Sequence, residues 1–242
     1  MRAGILAAGL GERLAPACSG GPKALVRVAG RPLLHHALEA VAAAGAREAR
    51  VAVNERDAEA VARVLEEEPP PASVPVTLSC RSTASSLETF ARLAPWLGEG
   101  ERHAIVAMVD GVFAPGAVAG FGRAAAELAM DPGDGTQGLI GVTDRQDEDG
   151  PLHVAFDAAG RVRALGPAAV GSRFSSAGLY LLPRRAFELA PEPAEAAGAR
   201  LRDFLAGLVG AGLRLRAHRL GPVVDVDRPD DLAEAERLRV SG

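Results

Sequence analysis

The stretch that decides the fold is ILAAGLGERL, residues 5–14, and it is followed by GGPKAL, residues 20–25. A short apolar run leads into a glycine-rich turn, and two cations, Arg13 and Lys23, come after it. Glycines let backbone N–H groups approach an anion closely, and the two cations can neutralise that anion. The pattern therefore predicts a loop that holds a polyphosphate, and a nucleotide-handling enzyme is the first hypothesis.

Two common phosphate-binding loops do not fit this stretch. A dinucleotide-binding turn has the spacing Gly-x-Gly-x-x-Gly, which Gly9 and Gly11 begin, but Leu14 stands at the third position. A Walker-type loop ends in Gly-Lys-Ser/Thr, whereas Lys23 follows a proline and precedes an alanine. The plainer alternative is an ordinary strand–turn–helix connection that carries surface cations.

The composition excludes several classes of protein. The 242 residues are 48% hydrophobic and 24% charged, as is usual for a globular protein with a sizeable core. A net charge of −4 argues against a general binder of nucleic acid or of membrane surfaces. The apolar stretches are strand-sized and no leader-like segment opens the sequence, so we expect a cytoplasmic protein. Two cysteines, Cys18 and Cys80, are too few for a disulfide framework or a metal site.

Strand-like and helix-like segments alternate in the first half of the chain. The periodicity predicts strands at 3–8, 50–53, 74–78 and 104–109, and helices at 32–44, 57–67 and 86–93. Such alternation implies an α/β fold with a doubly wound, mainly parallel, Rossmann-like sheet.

The second half differs in character. It predicts strands at 139–143, 179–182 and 213–217, helices at 201–209 and 229–239, and a hairpin with arms 152–156 and 161–165. No linker is long enough to separate domains. We expect one domain over 1–242, with a nucleotide-binding half at 1–137 and a small β-rich, acceptor-binding region within 138–242.

Aspartates mark two further positions. Asp110 directly follows the apolar run 104–109, at the strand end where doubly wound sheets bind ligands, although a turn role is the alternative. Asp225 and Asp227 share one face if their segment is a regular strand, and both could then approach one metal ion. The next two acids, Asp230 and Asp231, fit the first turn of the last helix and are left out of the site.

These segments together resemble the signature of the nucleotidyltransferases, which join a nucleoside triphosphate to a phosphorylated alcohol and release pyrophosphate. The resemblance rests on Leu-Ala-Ala-Gly-x-Gly-x-Arg-Leu, Pro-Lys-Ala-Leu, FSSAGLYLLP at 174–183 and VVDVDRPDDL at 223–232. The segment 174–183 is similar to the Asn-Ala-Gly-Ile-Tyr-Val of the sugar-1-phosphate nucleotidyltransferases, which makes them the closest branch.

The resemblance implies a role for each nucleotide-side residue. Arg13 would clamp the β- and γ-phosphates and Lys23 the α-phosphate, and Mg²⁺ would be held by Asp110 with either Asp225 or Asp227. The nucleotide would be contacted by the end of the first strand, the glycine-rich turn and the loop before the third helix, namely Leu6, Ala7, Ala8, Gly9, Gly11, Thr83 and Ser86. An equally good interpretation of that loop is a Ser/Thr cap of the helix.

The acceptor side departs from the family pattern. Ser176 and Gly178 are the implied acceptor contacts, but Ser176 stands where asparagine is usual. Gly166-Pro167 falls where a Glu-Lys-Pro normally supplies acceptor-binding side chains, and Arg173 or Arg163 is the candidate replacement for the lysine.

The expected partners are a nucleoside triphosphate and a phosphorylated small-molecule acceptor, without nucleic acid or membrane, in a chain that could form a homo-oligomer. Sugar 1-phosphate is the first choice of acceptor. The alternatives are a cytidylyltransferase for phosphocholine or a polyol phosphate, a molybdopterin-type enzyme, and a regulatory nucleotide-binding protein without turnover.

Overall fold

The structure is a computed structural model that describes residues 1–9, 14, 21–70, 74–130, 133–145 and 150–240. Its strands, in chain order, are β1 (Arg2–Ala7), β2 (Arg27–Val28), β3 (Arg31–Pro32), β4 (Glu48–Val53), β5 (Val76–Cys80), β6 (His103–Met108), β7 (Gly111–Phe113), β8 (Gly138–Thr143), β9 (Val154–Phe156), β10 (Val162–Leu165), β11 (Ser175–Pro183), β12 (Leu215–Arg219) and β13 (Val223–Asp225). The α-helices are α1 (Leu33–Ala43), α2 (Ala58–Glu67), α3 (Ser86–Gly98), α4 (Ala117–Met130), α5 (Arg184–Glu188), α6 (Leu201–Gly210) and α7 (Pro229–Val240).

The predicted parallel sheet is confirmed. Among the described residues seven strands form one sheet in the order β12-β8-β11-β6-β1-β4-β5. The pairs of β1 with β4 and β6, of β4 with β5 and of β8 with β12 are parallel, whereas β11 runs antiparallel between β6 and β8. Three two-stranded sheets, β2–β3, β7–β13 and β9–β10, accompany it, and β9–β10 is the predicted hairpin.

Helices cover both faces of the sheet because its side chains alternate. Ile5 and its neighbours on the same face pack with α1, α2 and α4, while Leu6 packs on the other face with α3, α5 and α6. A third cluster joins β2, β7, β13 and the start of α1 with α7; its buried members are Leu14, Val26, Val28, Leu33, Val112, Val224, Val226 and Ala235. This third cluster lies beneath the residues that carry the candidate chemistry.

Two predicted strands begin later than expected. Strand β5 starts at Val76 rather than at residue 74 because Pro75 has no N–H to donate to a ladder; its carbonyl accepts from Ala49 N at 2.9 Å. Strand β12 starts at Leu215 rather than at residue 213. The chain first leaves α6 through Gly212 (φ +96°), and Leu213 N donates to Leu208 O at 2.9 Å, which completes the helix end.

Helix α4 is not predicted by the sequence, because its two interior glycines lower helix propensity. The structure gives Gly122 a packing reason: a Cβ there would collide with the carbonyl oxygen of Ala43, so the glycine lets α4 approach the end of α1 closely. The short strands β2, β3 and β7 and the short helix α5 also escaped prediction. No helix within the described ranges is long and apolar enough to cross a membrane.

Candidate active site

A cavity of about 580 Å³ opens beyond the carboxyl ends of β1 and β6, which are neighbours in the sheet. Ligands of doubly wound sheets bind in this position. Its lining residues lie at the end of β1, at Lys23, in the loop before α3 and the first turn of that helix, after β6, and in the second half of the chain. They are Leu6, Ala8, Gly9, Lys23, Thr83–Ser86, Thr89, Met108–Gly111, Thr143, Ser176–Gly178, Val223, Asp225 and Asp227.

The three predicted metal-binding aspartates lie together. Each of Asp110, Asp225 and Asp227 offers a carboxylate oxygen, and these atoms lie within 4.8 Å of one another. Asp110 follows β6, and the antiparallel pairing of β7 with β13 sets Asp225 opposite Gly111. Val226 N donates to Asp110 O at 3.0 Å, which fixes the segment that carries the other two aspartates.

The spacing of the acids has a packing cause. Val224 and Val226 are buried in the third cluster, so the intervening Asp225 and the following Asp227 turn to the cavity side. Asp227 lies beyond the end of β13, but the alternation persists, and both carboxylates lie beside Asp110. Asp231 accepts from the backbone N–H groups of Asp227 and Arg228 at 2.9 and 2.7 Å, which agrees with its assignment to the start of α7.

Lys23 joins this cluster from the other end of the sequence. It begins a 3₁₀ turn over Lys23–Leu25, its side chain is 8% exposed, and Nζ donates to Asp110 Oδ2 at 2.6 Å and also to Asp227 Oδ1. Burial by itself would lower the pKa of Lys23, but the negative charges of Asp110 and Asp227 outweigh it and raise that pKa above its usual range. The ammonium therefore stays charged, and three carboxylates around one ammonium leave an excess of negative charge.

That donor set fits a hard divalent cation. Carboxylate oxygens are the ligands that Mg²⁺ prefers, and the excess negative charge at one point needs a counterion. Asp110, Asp225 and Asp227 are the residues that would hold the ion, and Lys23 is the neighbouring cation that balances part of their charge.

The loop before α3 both caps that helix and lines the cavity. Ser85 is the cap: its Oγ accepts from Glu88 N at 3.1 Å, while Glu88 Oε2 accepts from Ala84 N at 2.7 Å. Ser86 Oγ accepts from Leu201 N at 3.0 Å, and Thr83 Oγ1 hydrogen-bonds Thr89 Oγ1 at 2.7 Å. The structure thus brings Thr83 and Ser86 to the cavity, where their contact with a nucleotide stays a prediction.

The other predicted nucleotide contacts differ in their placement. Leu6, Ala8 and Gly9 line the cavity, whereas Ala7 is buried in the core on the α1 face and is not among the lining residues. Gly11 and Arg13 lie outside the described residues.

A second cavity of about 680 Å³ adjoins the first and shares Ser86, Met108, Ser176, Gly178, Asp225 and Asp227 with it. Strand β11 has an irregularity here, because its register with β8 shifts between Ser176 and Tyr180. Gly178 has φ +71°, and a Cβ at this position would lie 3.2 Å from the Met108 side chain. Ser176 and Gly178, the two predicted acceptor contacts, therefore stand at the junction of both cavities.

Tyr180 extends the polar groups of that junction. Its hydroxyl is 2.7 Å from Ser176 Oγ, and Ser176 Oγ accepts from Gly178 N at 3.2 Å. Burial raises the pKa of Tyr180 to about 12, although the hydrogen bond to Ser176 acts in the opposite direction. The phenol is consequently protonated at neutral pH and acts as a neutral hydrogen-bonding group.

The arginines proposed from the sequence as acceptor contacts lie elsewhere. Arg173 stacks over Phe174, with Cζ 4.9 Å from the ring centroid, and lines a separate surface cavity; Arg163 pairs with Asp157 in the β9–β10 hairpin. The second cavity is instead lined by Arg145, just after β8, and by Arg202, in the first turn of α6. Sequence reasoning missed both, although the end of the predicted strand at 139–143 was a signal for Arg145.

The fold and the site define the class of protein: an α/β nucleotide-binding enzyme with a carboxylate cluster at the strand ends. A family model for the MobA-like NTP transferase domain matches residues 3–211, and the chain belongs to that family. It is therefore a nucleotidyltransferase.

Solved structures show the same fold at low sequence identity. The inositol-1-phosphate CTP transferase from T. maritima has a TM-score of 0.79 and 18% identity, covering 98% of this chain and 94% of that one. A protein assigned as a glucose-1-phosphate thymidylyltransferase from Bacillus anthracis, in complex with a sucrose, has a TM-score of 0.80, 18% identity and the same coverages. HddC from Yersinia pseudotuberculosis has a TM-score of 0.71 and 17% identity, covering 98% of each chain.

Proposed function

We propose that the protein catalyses Mg²⁺-dependent transfer of a nucleotidyl group from a nucleoside triphosphate to a sugar 1-phosphate or a similar phosphorylated alcohol. The observation that carries the proposal is the cluster of Asp110, Asp225, Asp227 and Lys23 where two cavities meet. We assign the first cavity to the nucleotide and the second to the acceptor, so that the reacting groups would meet beside this cluster.

The reaction is an in-line displacement at phosphorus. An acceptor phosphate oxygen forms a bond to the α-phosphorus, the bond from that phosphorus to the α–β bridging oxygen breaks, and pyrophosphate leaves with the bonding electrons. Such transfers need positioning and neutralisation of charge more than covalent catalysis. No side-chain nucleophile is required.

The residues of the site supply the positioning. Lys23 Nζ now donates to Asp110 and Asp227, and it would exchange one of these hydrogen bonds for one to the α-phosphate. Its positive charge would then stabilise the negative charge that accumulates there. Arg13 is proposed as the clamp of the β- and γ-phosphates. A bound Mg²⁺ would neutralise the α-phosphate and the acceptor phosphate and so reduce the repulsion between them.

The names of similar structures support the choice of acceptor. Inositol 1-phosphate and glucose 1-phosphate, named for two of them, are both phosphate esters of six-membered rings that carry several hydroxyl groups. The Ser176–Gly178 turn, with hydroxyls of Ser176 and Tyr180, offers hydrogen-bonding groups for such a molecule. The missing Glu-Lys-Pro favours two further candidates, an acceptor of another kind or a nucleotide-binding protein without turnover.

A matrix of substrates tests the proposal. Four nucleoside triphosphates are each combined with glucose 1-phosphate, inositol 1-phosphate, phosphocholine and a polyol phosphate, with and without Mg²⁺, and pyrophosphate release is measured. We expect release with at least one pair and none without the metal. Tight nucleotide binding in the absence of release from any pair would support the non-catalytic alternative.

The remaining expectations stay proposals of the same kind. We propose one domain over 1–242 with a nucleotide half and an acceptor half, a cytoplasmic location, and no nucleic-acid or membrane partner.

A further inference from the structure

The second cavity is rich in arginine. Arg145, Arg200, Arg202 and Arg228 line it, whereas Lys23 is the sole cation among the described residues that line the first cavity. The phosphate that reacts must lie at the junction, beside Asp110 and Lys23, to meet the α-phosphorus. The arginines farther along the second cavity are therefore additional to the charges that the reaction itself needs.

Two of these arginines are held in place from different elements. Arg202, half-buried in the first turn of α6, donates through Nη1 to the carbonyl of Gly150. Arg145 forms an ion pair with Glu234 of α7, and its own carbonyl accepts from Ser175 Oγ at 2.9 Å. These contacts reduce the conformational entropy that each guanidinium would lose on binding a ligand.

Four aspartates also line the second cavity, but they are not grouped around Arg202 and Arg145. Asp225 and Asp227 belong to the cluster at the junction, and the Asp231 carboxylate accepts from two backbone N–H groups at the start of α7. Asp230 is exposed in the first turn of that helix. Arg202 lies on α6, whereas these aspartates lie at the end of β13, just after it and at the start of α7. The positive charge of Arg202 reaches Tyr180, where it lowers the pKa that the charges of Asp225 and Asp110 raise.

We propose, resting on the proposed function, that the acceptor carries a carboxylate as its second anionic group and that Arg202 and Arg145 bind it. A guanidinium has five donors in a planar fork that matches a carboxylate or phosphate in bidentate fashion. A neutral sugar ring offers no such partner. The two arginines would thus favour an acceptor that carries a carboxylate over one that does not.

Matched acceptors test this inference. Glucose 1-phosphate and glucuronic acid 1-phosphate differ by one carboxylate, as do phosphoethanolamine and phosphoserine. For the nucleotide that supports turnover, we expect kcat/KM for pyrophosphate release to be at least about tenfold higher with the carboxylated member of a pair. Arg202→Gln should reduce that ratio to about one. Arg63→Gln, at an exposed ion pair on α2, is the control.

The outcomes separate the two proposals. Equal rates within both pairs, or an equal loss for both members in Arg202→Gln, would overturn the second anionic group and leave the nucleotidyltransferase function standing. If no pair releases pyrophosphate, calorimetry of glucose 1-phosphate and glucuronic acid 1-phosphate with the wild type and Arg202→Gln decides the inference by itself. Tighter binding of the carboxylated sugar that Arg202→Gln abolishes would support it, and equal binding would refute it.

Discussion

Lys23 Nζ lies 2.6 Å from Asp110 Oδ2, although the two residues are 87 positions apart in the chain. The contact joins the glycine-rich start of the sequence to the end of β6, and Asp227 completes it from the last part of the chain. A lysine predicted to hold phosphate thus stands among carboxylates predicted to hold metal. The two predicted functions meet in a single cluster of charges.

Replacing Lys23 should abolish most of the activity. Lys23→Ala is expected to lower kcat for pyrophosphate release by about a hundredfold or more, because it removes a preorganised charge from the α-phosphate. It also leaves Asp110 and Asp227 without their ammonium partner, so thermal unfolding must be followed alongside. Arg27→Gln, on the same segment but in an exposed ion pair with Glu68, is the matched control. Near-normal turnover by a folded Lys23→Ala would remove Lys23 from the proposed machinery.

The three carboxylates are expected to determine the Mg²⁺ concentration that the enzyme requires for turnover. Asp110→Asn, Asp225→Asn and Asp227→Asn should each raise the Mg²⁺ concentration that gives half-maximal turnover, since each loses an anionic oxygen of the cluster. A Mg²⁺ titration of activity measures this effect, with Glu66→Gln, exposed on α2, as the control. An aspartate whose replacement leaves the Mg²⁺ titration unchanged is not a ligand of the ion. Comparing Asp225→Asn with Asp227→Asn therefore shows which of these two aspartates binds Mg²⁺.

The turn at Gly178 should be sensitive to a side chain. Gly178→Ala is expected to lower the free energy of unfolding by roughly 1–2 kcal/mol, because alanine is strained at φ +71°. It should also raise KM for the acceptor, since the new Cβ pushes on Met108 at the junction of the cavities. Gly171→Ala is a matched control with φ +94° and no atom within 4 Å of the added Cβ. Equal acceptor KM values in both variants would contradict the role of this turn.

Tyr180 offers a direct test of its burial, because it is the chain's one tyrosine. The pKa of Tyr180 is raised to about 12 in the folded state, from about 10 in an unfolded chain. Folding therefore favours the protonated phenol, and this contribution to stability is complete below pH 10 and is lost as the pH rises toward 12.

Absorbance of tyrosinate at 295 nm measures the titration of Tyr180. The step should lie near pH 12 in the native protein and near pH 10 in urea, and Tyr180→Phe should show no step in either condition. A step near pH 10 in a protein whose circular dichroism stays native would show that the phenol is exposed to solvent.

The sequence predicted the alternation of strands and helices along the chain well, because period-2 and period-3.6 patterns report directly which faces of an element are buried. It also predicted that Asp225 and Asp227 would share a face if their segment were a regular strand, and left a turn open as the alternative. In the structure the buried Val224 and Val226 alternate with them. The sequence could not predict Arg145 and Arg202 as neighbours of the acceptor cavity. That placement depends on how β8 and α6 come together across 57 residues of chain, which no local pattern encodes. Helix α4 escaped prediction for a related reason. Gly122 lowers the local helix propensity, but the close contact of α4 with the end of α1 requires a glycine there.

The pairing of β7 with β13 holds the segment before α7 against the residues that follow β6. Asp110 follows β6 of the main sheet, whereas Asp225 and Asp227 belong to the segment that leads into α7. A cation held by all three carboxylates would therefore tie that segment to the main sheet. Binding energy for the ion would then appear as protection of residues 223–240 against fraying and proteolysis.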